Sequence, residues 1–114
     1  MTPLQIFDRA IKRISKGWTQ HSYARGPDDR RRSSYSQEAT CWCLSGALGF
    51  DDPEPMRPEQ THALHLIQQK MNELDFDTDH ITEWNDDHNR TQEEVLSLLR
   101  AVREDLIKEV PSDV

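Results

Sequence analysis

The stretch CWCLSGAL at residues 41–48 is apolar on nearly every face of a helix. We predict that it completes a helix that begins at Ser34 or Ser36, whose hydroxyl groups can cap the first turn, and ends at about Leu48. The small residues at 45–47 would let another element approach this helix closely. We therefore expect residues 34–48 to form the central and most buried helix of the fold.

Three further helices are predicted around this stretch from hydrophobic periodicity. In the first, Thr2 caps the N-terminus, apolar residues recur every three or four positions, and Gly17 marks the end. The next begins at Pro58, because proline suits the first position of a helix. The last follows Thr91, which opens the capping-box sequence TQEE, and ends before Pro111.

These four helices and the absence of a convincing period-two strand predict an all-α fold. We expect a small, irregular four-helix domain in which residues 1–114 form a single folding unit. Two long loops separate the helices, one at residues 18–36 and one at residues 75–89, the second with a short turn at residues 81–84. Loops of this length are places where function is often found.

The charge of the chain is unevenly distributed. The formal net charge is −7, but residues 1–50 carry 8 basic and 4 acidic residues whereas residues 51–114 carry 6 basic and 17 acidic residues. This balance argues against a general nucleic-acid binder. We interpret the basic run at residues 30–32 as a solvated loop or as one that faces the acidic half; the alternative is a phosphate-binding role.

Targeting features are missing from the sequence as given. No apolar run approaches the roughly 20 residues that a membrane span needs, and the N-terminal segment is an amphipathic helix rather than a signal peptide. We therefore predict a cytoplasmic protein that does not contact membranes. The thin core that 34% hydrophobic residues allow is compatible with a homo-oligomer.

Two cysteines, Cys41 and Cys43, flank Trp42. On a helix, residues two apart lie about 200° around the axis, so the two thiols should diverge and should not share a metal ion. We predict reduced thiols and a buried structural role for Cys43. The alternative is that Cys41, near a helix N-terminus, is a nucleophile followed by tryptophan as in papain-like enzymes.

Two patterns of metal-binding residues are incomplete. His62 and His65 lie three residues apart on the third helix and are explained by a half-exposed helix surface; a metal site would need a third ligand such as His21, His80 or His88 to converge on them. The acidic residues at 75–86 follow the spacing of a calcium loop, yet His80 occupies the position where that loop requires glycine. We therefore predict no metal and no cofactor.

Three motifs together resemble a known family. They are GWTQ at residues 17–20, WCLSGAL at residues 42–48, and WND at residues 84–86 followed by RT at residues 90–91. In order and spacing they resemble an uncharacterised family of short proteins in bacteria and their phages, a domain of unknown function. The resemblance spans nearly the whole chain, but it implies no activity and supplies only candidate positions.

The most specific constellation surrounds the WND motif. Asparagine and aspartate satisfy backbone donors in turns, so a structural interpretation is an anchored turn before the last helix. The functional interpretation is a small polar cleft in which a tryptophan ring stacks on a ligand and arginine binds its phosphate. Its six ligand-binding candidates are Trp18, Gln20, Trp84, Asn85, Asp86 and Arg90.

Two function classes remain. The first is a non-enzymatic binding or protein-interaction module, of phage or mobile-element origin, whose acidic half covers a basic surface on a protein partner. The alternative is a small ligand-binding sensor or enzyme that uses the cleft around Trp84, Asn85, Asp86 and Arg90. Because no recognisable set of nucleophile and base is present, we predict no catalytic residues and favour the interaction module.

Overall fold

The computed structural model describes residues 1–109, so residues 110–114 of the predicted single domain, and the predicted helix end before Pro111, lie outside the described residues. Within the described part, five helices and three two-residue strands follow one another along the chain. They are α1 (Pro3–Lys16), β1 (Ala24–Arg25), β2 (Arg31–Arg32), β3 (Cys41–Trp42), α2 (Leu44–Ala47), α3 (Pro58–Glu73), α4 (Ile81–Asp86) and α5 (Gln92–Glu109).

The three long helices begin where the sequence predicts. Thr2 caps α1: its hydroxyl accepts a hydrogen bond from the Gln5 N–H at 3.2 Å, and the Gln5 side chain accepts one from the Thr2 N–H at 2.8 Å. Helix α3 begins at Pro58. Before α5, Thr91 and Glu94 form the predicted capping box, with distances of 3.2 and 3.0 Å.

The all-α prediction is wrong in one respect, because the mostly helical fold also contains a small antiparallel sheet. The strand order is β2-β1-β3, with Ala24 opposite both Arg32 and Trp42. The strands β1 and β2 occupy the predicted loop at residues 18–36. Strand β3 occupies the predicted central helix, of which only the single turn α2 is helical.

Long-range backbone hydrogen bonds explain why residues 40–43 do not continue a helix. The Thr40 N–H donates to the Arg25 carbonyl at 2.8 Å, and the Cys43 N–H donates to the Tyr23 carbonyl at 3.2 Å. Each bond pairs this segment with β1 or the residue before it, instead of with a residue four positions back. The short apolar run at residues 41–44 suits a buried strand as well as a buried helix.

Helix α1 takes the central place that we predicted for residues 34–48. It packs against α5, α3, α2 and β3, and its residues Phe7 and Ile14 are fully buried. The predicted close approach at residues 45–47 is confirmed, because a Cβ atom at Gly46 would collide with the Tyr23 carbonyl oxygen. Arg13 of α1 holds the end of α2 by donating to the Gly46 carbonyl at 2.9 Å.

No helix within residues 1–109 combines the length and the apolarity that crossing a membrane requires.

Candidate functional site

Asn85 is the centre of a hydrogen-bond network that joins three distant segments. Its side chain is inaccessible to solvent. The Oδ1 atom accepts from Trp18 Nε1 at 2.8 Å and from the Leu44 N–H at 3.0 Å. The Nδ2 group donates to the Thr19 carbonyl at 3.2 Å and to Asp86 Oδ1 at 3.0 Å. These four bonds use the full capacity of an amide side chain.

Gln20 and Asp86 extend this network to the surface. Gln20 Nε2 donates to the Asn85 carbonyl at 2.9 Å and to the Asp87 carbonyl at 2.7 Å. Asp86 Oδ1 accepts from the His21 N–H at 3.0 Å, and Asp86 Oδ2 lies 3.6 Å from His21 Nδ1. His21 has a φ of 64°, a left-handed conformation that is unfavourable for a residue with a side chain. The Asp86 carboxylate stabilises this turn.

Four of the six candidate residues are therefore brought together: Trp18, Gln20, Asn85 and Asp86. Trp18, Gln20 and Asn85 donate all their side-chain N–H groups to protein atoms. These contacts are those of an anchored turn. Whether any of the four also contacts a ligand stays a prediction. Asp86 is the one whose carboxylate borders an open cavity.

Trp84 and Arg90 are paired with each other, away from that cavity. The Trp84 ring is 4% exposed and stacks on Phe76, with ring centroids 5.5 Å apart. The Arg90 guanidinium lies 4.1 Å from the centroid of the Trp84 ring, and its Nε donates to the Trp84 carbonyl at 2.9 Å. Arg90 also pairs with Glu94 at 3.2 Å, not with Asp86. The structure thus does not bring all six candidates together in the single cleft of the functional interpretation.

Cys43 has the buried role that we predicted, but not within a helix. It is the N-cap residue of α2, and its Sγ accepts a hydrogen bond from the Gly46 N–H at 3.3 Å. Burial raises the pKa of the Cys43 thiol to about 11, so the thiol is protonated at neutral pH. Cys41 is half-buried in β3, so the helix N-terminus that would activate it as a nucleophile is not there.

A groove opens beside Asp86, between the β1–β2 hairpin, the start of α2 and helix α4. Its volume is about 610 Å³, within the range of small-molecule sites. From the sequence we named Asp86 and Cys43 as candidates and noted the basic run that contains Arg31 and Arg32, but we predicted no groove that brings them together with Tyr23. The nine lining residues are His21, Ser22, Tyr23, Arg31, Arg32, Ser33, Cys43, Thr82 and Asp86.

Trp84 and Arg90 line two adjoining depressions of about 290 and 240 Å³, which we call the acidic notch. Its apolar floor contains Leu74, Phe76, Trp84 and Leu98. Its rim carries six exposed carboxylates: Asp75, Asp77, Glu83, Asp87, Glu93 and Glu94. In the part of the chain that the structure describes, no three His, Cys, Asp or Glu side chains are placed to hold a metal ion.

Comparison with known proteins identifies the family. A family model, described as a family of unknown function (DUF6197), matches residues 1–105. The chain therefore belongs to this family, and the membership that the three motifs predict in a domain of unknown function is confirmed. No curated protein sequence and no solved structure matches the chain. Arguments about function consequently rest on the geometry of the sites.

Proposed function

We propose that the protein is a non-enzymatic, cytoplasmic interaction module that binds another protein through the acidic notch. The observation that carries this proposal is the exposure of Leu74 in an apolar depression of the acidic notch, whose rim carries carboxylates. Leu74 is the residue that follows α3, and it is 49% exposed. A half-exposed leucine beside the buried Trp84 ring and the partly buried Phe76 ring is a suitable anchor point for an apolar side chain of a partner.

The charge around this anchor point selects the chemistry of the partner. The acidic notch is lined by six carboxylates and one arginine. The side chain of this arginine, Arg90, is already paired with Glu94 and stacked on Trp84. The notch therefore keeps a strong negative potential, which attracts a basic surface and repels an acidic one. We expect the partner to present an apolar side chain surrounded by lysine or arginine.

The geometry of the site gives little support to the alternative function, a small enzyme. A thiol nucleophile must be ionised, and the pKa of Cys43 is raised to about 11 by burial. Asn85, which we considered as a cleft residue, has no hydrogen-bonding capacity left for a substrate. The arrangement supports binding better than it supports acid–base or nucleophilic chemistry.

The proposal is tested by a charged substitution at the anchor point. Wild type, Leu74→Asp and Ile107→Asp are tagged and used to capture proteins from cells that naturally encode the chain. Ile107 is the matched control, because it is also an exposed apolar residue, at 43%, and lies on α5 outside the notch. We expect a basic partner that is retained by Ile107→Asp and lost by Leu74→Asp.

The captured partner is then purified and its affinity measured at two salt concentrations. Binding that weakens several-fold between 50 and 300 mM salt fits a carboxylate-lined site. Equal capture by both variants would contradict the proposal. A wild-type dimer that Leu74→Asp converts to a monomer would instead identify the partner as a second copy of the chain.

A further inference from the structure

The groove beside Asp86 differs from the acidic notch in charge. Its lining contains two arginines, Arg31 and Arg32, and one carboxylate, that of Asp86, in a chain whose net charge is −7. Arg32 is neutralised by Asp28 at 3.1 Å and by Glu38 at 2.9 Å. Arg31 is exposed, and within residues 1–109 its guanidinium has no ion pair or hydrogen bond. It is therefore available to bind an anion.

His21 and Tyr23 complete the binding chemistry of the groove. Asp86 fixes His21 by accepting its backbone N–H and by facing Nδ1, while His21 Nε2 has no partner among the described residues. Tyr23 is 48% exposed, and the described contacts leave its ring without an aromatic or cationic neighbour. A ring of this kind offers a flat face on which another ring can stack.

We infer that the groove binds a small phosphorylated molecule that also carries an aromatic ring, with the phosphate at Arg31 and His21 and the ring at Tyr23. Arginine is suited to phosphate because its N–H groups donate charge-assisted hydrogen bonds, and an imidazolium ring at His21, with an N–H on both nitrogens, can donate to Asp86 and to the phosphate at once. The volume of about 610 Å³ is large enough for such a molecule. The inference does not depend on the proposed partner at the acidic notch.

Calorimetric titration with four probes tests the inference: inorganic phosphate, phenyl phosphate, adenosine and adenosine monophosphate. We expect the two aromatic phosphates to bind at least tenfold more tightly than inorganic phosphate or adenosine. Arg31→Ala should weaken binding of adenosine monophosphate about tenfold. Arg30→Ala is the matched control: it removes the same charge one residue away, outside the lining, and should change affinity less than twofold.

Two further variants separate the parts of the inference. Tyr23→Ala should weaken the aromatic phosphates and leave inorganic phosphate unchanged, whereas Leu74→Asp should leave every probe unchanged. All substituted residues are exposed, and unchanged thermal melts verify folding. The inference is overturned if the aromatic phosphates do not bind at millimolar concentration, if they bind no more tightly than inorganic phosphate, or if Arg30→Ala and Arg31→Ala weaken them equally.

Discussion

Replacing Asn85 by alanine should cost a large part of the stability of the fold. The change leaves the Trp18 Nε1–H, the Leu44 N–H and the Thr19 carbonyl without their partner; the Leu44 N–H is buried and the other two groups are partly buried. An unsatisfied buried polar group costs about 1 to 3 kcal/mol and a partly buried one costs less because water can reach it, so the three groups together amount to roughly 3 to 5 kcal/mol. Domains of this size are stable by only about 5 to 15 kcal/mol.

Urea unfolding followed by far-UV circular dichroism measures this loss. Asn89→Ala is the control, because Asn89 is exposed and its side chain makes no hydrogen bond within the described residues; we expect a change below about 0.5 kcal/mol. Trp18→Phe removes a single hydrogen-bond donor. Because this donor pairs with Asn85, the double variant should lose about 1 kcal/mol less stability than the sum of the two single variants. A loss for Asn85→Ala within about 1 kcal/mol of the control would refute the reasoning.

Three other substitutions test neighbouring features. Asp86→Asn weakens the contacts with His21 and should cost about 1 to 2 kcal/mol, against less than about 0.5 for the exposed Asp77→Asn, in the same urea assay. Because burial raises the pKa of Cys43 to about 11 from 9.0, the folded state keeps a proton that the unfolded state loses, and stability falls as pH rises between these values. Cys43→Ser should remove the part of this loss of stability that comes from the Cys43 thiol. Identical curves of stability against pH for the variant and the wild type would contradict this role of Cys43. Gly46→Ala should lower the melting temperature by more than 10 °C because of its collision with backbone.

The helices were predictable because their signals are local. Thr2, Pro58 and Thr91 mark helix starts through contacts within the first turn, which a sequence shows directly. The two-residue strands have no such signal. Their pairing partners lie elsewhere in the chain, as with Thr40 and Arg25, so an apolar run of a few residues does not reveal whether it will become strand or helix.

The candidate site was predictable only in part. The motifs correctly associate Trp18 and Gln20 with Asn85, 67 and 65 residues away. Trp84 and Asn85 were expected in one cleft, but α4 extends to Asp86, and consecutive residues on a helix point about 100° apart. The Trp84 side chain therefore contacts Phe76 and Arg90, while the Asn85 side chain points towards Trp18 and Leu44. A predicted helix that included both Trp84 and Asn85 would have placed their side chains in different directions.

The partners of Asn85 also restrict how this protein can change during evolution. Two of the four groups that it satisfies, the Leu44 N–H and the Thr19 carbonyl, belong to the main chain. Every amino acid other than proline presents the same two groups, so no substitution at position 19 or 44 can compensate for the loss of the amide. Trp18, in contrast, contributes a side chain that a second mutation could replace. We therefore expect a mutational scan to find second-site rescue for position 18 and none for position 85.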